Sequence, residues 1–229
     1  MRLSDIEHVF FDLDHTLWDF DRNSALAFRE IFRKQKIEID IDDFLQVYKP
    51  INFRYWELYR NNSVSKEDLR YGRLKESFDS LRFEACDTTI NLIADDYIEY
   101  LPNNNHLLEG SLDVLAHLSK TYKLHIITNG FEEVQQRKMM NSGILDFFQT
   151  ITTSEEAGVK KPHPQIFEKA LQKSEALPQK SVMIGDNLEA DIIGASRFGL
   201  YAIYLSSEDQ VSQNQFPQIQ KLKELLDYL

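Results

Sequence analysis

The chain has a single cysteine, Cys86, in 229 residues. An intramolecular disulfide is therefore excluded, which suits a reducing compartment. An inert helix residue is a better reading of Cys86 than a nucleophile. Basic charge is also scarce: 26 lysines and arginines stand against 37 acids, and the formal net charge is -11. Nucleic acid and anionic membranes both need a basic face, so neither is an expected partner. An anionic substrate would have to be drawn in by local positive charge. The sequence lacks an apolar run of membrane length and a basic leader with a long apolar stretch, so a cytoplasmic location is expected. Internal repeats and low-complexity tracts are lacking too. Apolar residues are plentiful at 42%, enough for a sizeable core in one large domain or in a domain with an inserted module.

Short apolar runs mark candidate strands at Ile6–Leu13, Tyr122–Gly130, Phe147–Ser154, Ser181–Asn187 and Leu200–Ser206. Each is brief and ends at a polar residue or glycine, which is how buried parallel strands read. Helical segments lie between them. One begins near Ser111 with Leu112, Leu115 and Leu118, and another carries Val134 and ends near Gly143. Pro164 suits a first helical position, and Gly199 suits the end of the helix that follows Asp191. The spacing of Ile219, Leu222, Leu225, Leu226 and Leu229 predicts a docked amphipathic helix. This alternation means an α/β doubly wound sheet.

Residues 18–106 differ, with four helical stripes and no convincing strand. The second stripe, Phe44 to Leu58, should kink at Pro50. The third follows a capping box at Ser65–Asp68. An all-helical module, 18–106, is thus expected to interrupt an α/β core formed by 1–17 and 107–229.

In such a sheet, ligands sit beyond the carboxyl ends of the strands. The first strand delivers Asp12 and Asp14 there, and the second delivers Thr128, Asn129 and Gly130. The loop beyond the third carries Lys160 and Lys161. The fourth delivers Gly185 and Asp186, with Asp191 just inside the next helix. Singly, each motif reads as a turn, a loop or a helix cap. Together, in this order and each at a strand end, they read as a site.

The order "DLDHT", "ITNG", "KPHP", "GDNLEAD" resembles the haloacid dehalogenase superfamily over essentially the whole chain. That resemblance implies a Rossmann-like core with a helical cap and phosphoryl transfer through an aspartyl phosphate. Asp12 and Asp186 are natural carboxylate ligands for a hard cation such as Mg²⁺, and the resemblance adds the main-chain carbonyl of Asp14. Asp12 would attack phosphorus. Asp14, kept protonated by the crowding of acids, would protonate the leaving oxygen and then activate water. Thr128 and Asn129 would bind phosphoryl oxygens. Lys161 matches the charge-compensating lysine, with Lys160 as the other candidate, and Asp191 would orient Lys161 or a metal-bound water. Members that remove halide lack an acid at the position of Asp14, so hydrolysis of a small-molecule phosphate ester is favoured over dehalogenation.

The segments "DFDRNS", "TNGFEEVQQRKM" and "SEEAGVKKPHPQIF", with the cap helices, are most similar to the house-cleaning pyrimidine 5'-nucleotidases. This likeness implies that Asn52 and Trp56 contact a nucleoside monophosphate. Asn62 stands where that group has a glycine, and asparagine tolerates the left-handed turn. Helix packing is the plainer reading of Tyr55, Trp56 and Tyr59. Met139 and Met140 read as core or helix-surface residues, and His15, His125 and His163 lack metal-ligand spacing. The alternatives are a sugar-phosphate or phosphoglycolate phosphatase, a receiver-type phospho-acceptor protein, and an idle binding homologue.

Overall fold

A computed structural model describes residues 3–206 and 216–229. The chain forms two compact units, Met1–Phe20 with Asn105–Leu229, and Asp21–Asn104. Strand β1 (His8–Phe11) comes first, and four helices follow: α1 (Phe20–Gln35), α2 (Ile41–Arg60), α3 (Lys66–Ser80) and α4 (Asp87–Tyr100). The remainder runs α5 (Ser111–Leu118), β2 (Lys123–Thr128), α6 (Glu132–Asn141), β3 (Phe148–Thr153), α7 (Ser154–Ala157), α8 (Pro164–Ser174), β4 (Ser181–Gly185), α9 (Gly194–Phe198), β5 (Tyr201–Leu205) and β6 (Gln218–Ile219).

The larger unit holds one six-stranded sheet in the order β3-β2-β1-β4-β5-β6, with every neighbouring pair parallel. Val9, Phe10 and Phe11 are buried without an alternating pattern, as expected of a central strand covered on both faces. Phe10 joins Ile127, Ile166, Phe167 and Met183 in one core cluster. Phe11 pairs with Ile126 on one side and Ile184 on the other. The residues that follow these three strands therefore emerge at one edge.

The units divide after Phe20 and before Asn105, within three residues of the expected bounds 17/18 and 106/107. Trp18 belongs to the larger unit, because its backbone bridges both Asp14 and Leu107. The C-terminal segment is not an α-helix. Gln218–Ile219 adds the sixth strand, and Leu222–Asp227 winds as a 3₁₀ helix. The three-residue spacing of Leu222 and Leu225 fits three residues per turn, and both are buried, as is Ile219 on the strand, whereas Leu226 is exposed. Leu112, assigned to the buried face of α5, is also exposed; Val114, Leu115 and Leu118 form that face. Gly199, at φ 102, closes α9 as the sequence suggests.

The smaller unit is all helical and built on aromatic packing. The Phe28 ring lies 4.9 Å from Phe44, 4.7 Å from Tyr48 and 4.5 Å from Tyr97. Helix α2 runs without interruption through Pro50. Proline removes the bond to the carbonyl four residues earlier, that of Gln46, and both residues are exposed, so water can satisfy that oxygen. Asn62 takes the left-handed conformation (φ 56). The capping box is present: Ser65 Oγ accepts from the backbone N–H of Asp68 at 3.0 Å, and Asp68 Oδ2 accepts from that of Ser65 at 3.2 Å. Ser65→Ala should therefore lower stability by about 1 kcal/mol. Chemical denaturation would check this, and no change would mean that the cap contributes nothing.

Candidate active site

Strand β1 ends at Phe11, and Asp12 leaves it between β2 and β4, with its backbone N–H donating to the Ile184 carbonyl at 2.9 Å. The Asp12 carboxylate is buried. Lys161 Nζ donates to Asp12 Oδ1 at 2.6 Å and to the Ile127 carbonyl at 2.7 Å, and it lies 2.7 Å from Asp191 Oδ1. The geometry thus selects Lys161, rather than Lys160, as the partner of Asp12. Lys161 is 2% exposed, so its charge persists only because the acids compensate it. Burial opposes the ammonium form, but Asp12 and Asp191 together raise its pKa.

Asp186 follows β4, and Thr16 Oγ1 donates to its Oδ1 at 3.4 Å. Asp191 sits in a π-helical turn, Leu188–Ile193, between Asp186 and α9. Single π turns of this kind recur at functional sites. The Asp191 Oδ2 accepts from the Asn187 backbone N–H at 3.1 Å. Its Oδ1 forms the ion pair with Lys161 but has no hydrogen-bond partner among the described residues.

Asp12, Asp186 and Asp191 each bring one carboxylate oxygen into a group whose members lie within 4.8 Å of one another. Burial, with the charges of Asp191 and Asp186, pushes the Asp12 carboxyl up to about 8 against the pull of Lys161. Burial and Asp191 likewise push Asp186 up to about 7. Three hard oxygen donors around a single ammonium leave negative charge uncompensated, and such a donor set fits a hard divalent cation.

Asp14 has different surroundings. Its carboxylate is turned to two donors, Lys138 Nζ at 2.7 Å on Oδ1 and Gln135 Nε2 at 3.1 Å on Oδ2. Lys138 is buried, with its Nζ 4.4 Å from the Trp18 ring centre and 5.3 Å from that of Phe20. Thr128, the last residue of β2, is buried. Its hydroxyl oxygen accepts from the Gly130 backbone N–H at 3.0 Å and from Gln135 Nε2 at 2.7 Å. The Asn129 side chain clamps the Lys161 backbone, accepting from its N–H at 2.8 Å and donating to its carbonyl at 3.1 Å. Its amide therefore serves first to hold the lysine loop.

Neither Lys138 nor Gln135 was picked out from the sequence. With Phe131 and Val134 they share the buried face of a helix, where a polar side chain needs a partner, but that burial is seen only in the packed structure. Of the histidines set aside, His15 packs its ring 5.0 Å from Phe20. His125 lies 3.0 Å from His8 within the sheet. His163 caps α8.

Asn52 and Trp56 lie on α2 in the smaller unit. Asn52 Oδ1 accepts from Tyr48 Oη at 3.2 Å and from Arg73 Nη1 at 2.8 Å, so this oxygen serves the packing of α2 on α3. Trp56 is partly buried and meets Tyr59 edge-on at 5.7 Å. Tyr55 crosses so close to Gly72 that a Cβ there would stand 2.5 Å from its ring. Packing accounts for Tyr55 and Tyr59.

A family model described as haloacid dehalogenase-like hydrolase matches residues 6–199. The pyrimidine 5'-nucleotidase YjjG of Escherichia coli is 31% identical over 201 residues, covering 87% of this chain and 85% of that protein. A glyceraldehyde 3-phosphate phosphatase of Pyrococcus furiosus is 32% identical over 208 residues, covering 87% and 80%. Among solved structures, the magnesium-bound HAD-hydrolase YfnB of Bacillus subtilis superimposes with a TM-score of 0.87 at 28% identity, over 99% of this chain and 98% of that one.

Proposed function

Because this chain belongs to the haloacid dehalogenase-like hydrolase family, we propose that it hydrolyses small phosphate monoesters through an aspartyl phosphate on Asp12. The observation that carries this reading is the pairing of two carboxylates at one strand end with separate partners, Asp12 with Lys161 and Asp14 with Lys138 and Gln135. Lys161 fixes one oxygen of Asp12, and the other attacks phosphorus as the bond to the ester oxygen breaks. Asp14 gives its proton to that departing oxygen. Water then attacks phosphorus and passes a proton to Asp14. The bond to Asp12 breaks, and inorganic phosphate leaves. Thr128 donates to a phosphoryl oxygen throughout.

A divalent cation such as Mg²⁺ would supply the positive charge that lets an anionic ester approach an anionic nucleophile. Asp12, Asp186 and the Asp14 carbonyl would hold it. Asp191, paired with Lys161 and accepting from the Asn187 N–H, would orient Lys161 and the Asn187 turn. Activity should need Mg²⁺ or Mn²⁺ and vanish with EDTA. Ca²⁺ should inhibit, because its larger, looser shell misplaces the attacking carboxylate. Full turnover by metal-stripped protein would end the reading.

For the substrate, the helical-unit motifs and the YjjG likeness favour pyrimidine nucleoside monophosphates. The likeness to glyceraldehyde 3-phosphate phosphatases supports a second reading, a sugar-phosphate or triose-phosphate ester. With its Oδ1 occupied, Asn52 would address a ligand only through its amide N–H. A stacked base is worth roughly 1–3 kcal/mol on an aromatic ring. Trp56→Ala should therefore raise KM for dUMP or UMP while sparing p-nitrophenyl phosphate, and equal losses on both would leave Trp56 a packing residue. A phosphate-release panel of dUMP, UMP, dTMP, glyceraldehyde 3-phosphate, glucose 6-phosphate and phosphoglycolate separates the two readings. Among the described residues no helix is long and apolar enough to cross a membrane.

A further inference from the structure

Gln135 is almost fully buried on α6, and its side-chain amide touches both the proton-handling acid and the phosphoryl-binding hydroxyl. We propose that Gln135 is a positioning residue that fixes the polarity of the Thr128 hydroxyl, so that its one hydrogen can be donated only to a bound phosphoryl group. The proposal rests on the phosphatase reading above.

A hydroxyl has one hydrogen and two lone pairs. The Thr128 oxygen already accepts twice, from the Gly130 N–H at 3.0 Å and from Gln135 Nε2 at 2.7 Å. Both lone pairs are thus occupied, and only the hydrogen remains to be shared. A threonine left to itself can turn its hydrogen toward any nearby acceptor, and here Asp14 stands close by on the same amide. Gln135 removes that freedom before the ligand arrives, which is how a donor becomes preorganised.

The amide orientation follows from the same contacts. Its nitrogen has two hydrogens, one for Thr128 and one for Asp14 Oδ2 at 3.1 Å. Turning the amide over would set its oxygen against the Asp14 carboxylate. The fold accepts a cost to keep this orientation, since Gln135 Oε1 is buried with no hydrogen-bond partner among the described residues. A buried acceptor left unmade is not what packing alone would select. Gly130 completes the device: a Cβ there would stand 2.1 Å from Gln135 Nε2, so the residue that supplies the first donor also has to be glycine to admit the second.

The test is a double-mutant cycle on phosphate affinity, read without turnover. Orthophosphate in the presence of Mg²⁺ stabilises a protein that binds it, and the rise in melting temperature with concentration gives its Kd. Q135M should weaken orthophosphate binding about tenfold, the worth of one net hydrogen bond. In a T128V background, which keeps the shape but has no hydroxyl to orient, the same change should be less than about twofold, because coupled residues are non-additive. G130A, which displaces the amide without altering it, should weaken binding to a similar degree and carries the comparison should Q135M fail to fold. Equal loss in both backgrounds, or no loss in either, would overturn the proposal and assign Gln135 to packing. A wild-type protein that neither binds orthophosphate nor hydrolyses any ester would remove the phosphatase reading itself, and this inference with it.

Discussion

Asp12→Asn should abolish turnover of every phosphate ester while leaving the fold intact. The amide keeps the shape of the carboxylate but cannot form the acyl phosphate, and removing a nucleophile of this kind costs on the order of 10⁴-fold or more. The loss should be in kcat and should not depend on the leaving group, since the bond that cannot form is common to all. Stability should move the other way. In metal-free protein, burial and the neighbouring acids raise Asp12 to about 8, far above the usual carboxyl range. Between those two values the folded state binds a proton that the unfolded state does not, so stability falls as pH rises through that window. An amide has no such titration. In EDTA near pH 8, D12N should melt at or above the temperature of the wild type. A D12N protein that retains more than a few percent of activity would remove Asp12 from the chemistry.

Lys161→Ala should be severe on both counts, and Lys160→Ala mild on both. Lys161 is buried against two carboxylates and a carbonyl. Deleting one partner of a buried ionic cluster costs about 3–5 kcal/mol, because the remaining charges have lost their compensation. Two acids would then face an incoming anionic ester with no ammonium between them, and the loss of such a stabiliser is on the order of 10²–10³-fold in kcat. Denaturation midpoints and kcat for the two variants separate the effects. Equal damage from K160A would mean that the lysine loop is read one position out.

Much of this site is legible in the sequence for a simple reason. Parallel strands covered on both faces appear as short apolar runs, and whatever polar residue ends each run must emerge at the same edge. Asp12 and Asp186 directly follow β1 and β4, Thr128 ends β2, and Lys161 reaches the edge from the β3–α8 connection. Gln135 and Lys138 are different. They lie on a helix face, where glutamine and lysine ordinarily mean solvent, and only three-dimensional packing reveals that this face is buried. Asp191 was read inside a helix, but the π turn that aims it at Lys161 has no compositional signature. Of the C-terminal leucines, Leu222, Leu225 and Leu229 are buried as expected and Leu226 is not, and the geometry differs because a three-residue spacing serves a 3₁₀ helix as readily as an α-helix. Pro50 is expected to kink its helix; α2 continues through it, and Gln46 and Pro50 are both exposed, so the missing bond costs little.

The central claim is that Asp12 carries the phosphoryl group. It can be tested by quenching the enzyme in acid during turnover of a phosphate ester with Mg²⁺, reducing the denatured protein with borohydride and sequencing its peptides by mass spectrometry. An acyl phosphate is reduced to the alcohol, so the account predicts homoserine at position 12 in wild type, absent without substrate and absent in D12N. Homoserine at Asp14 or Asp186 instead, or no reduced residue during steady turnover, would contradict it.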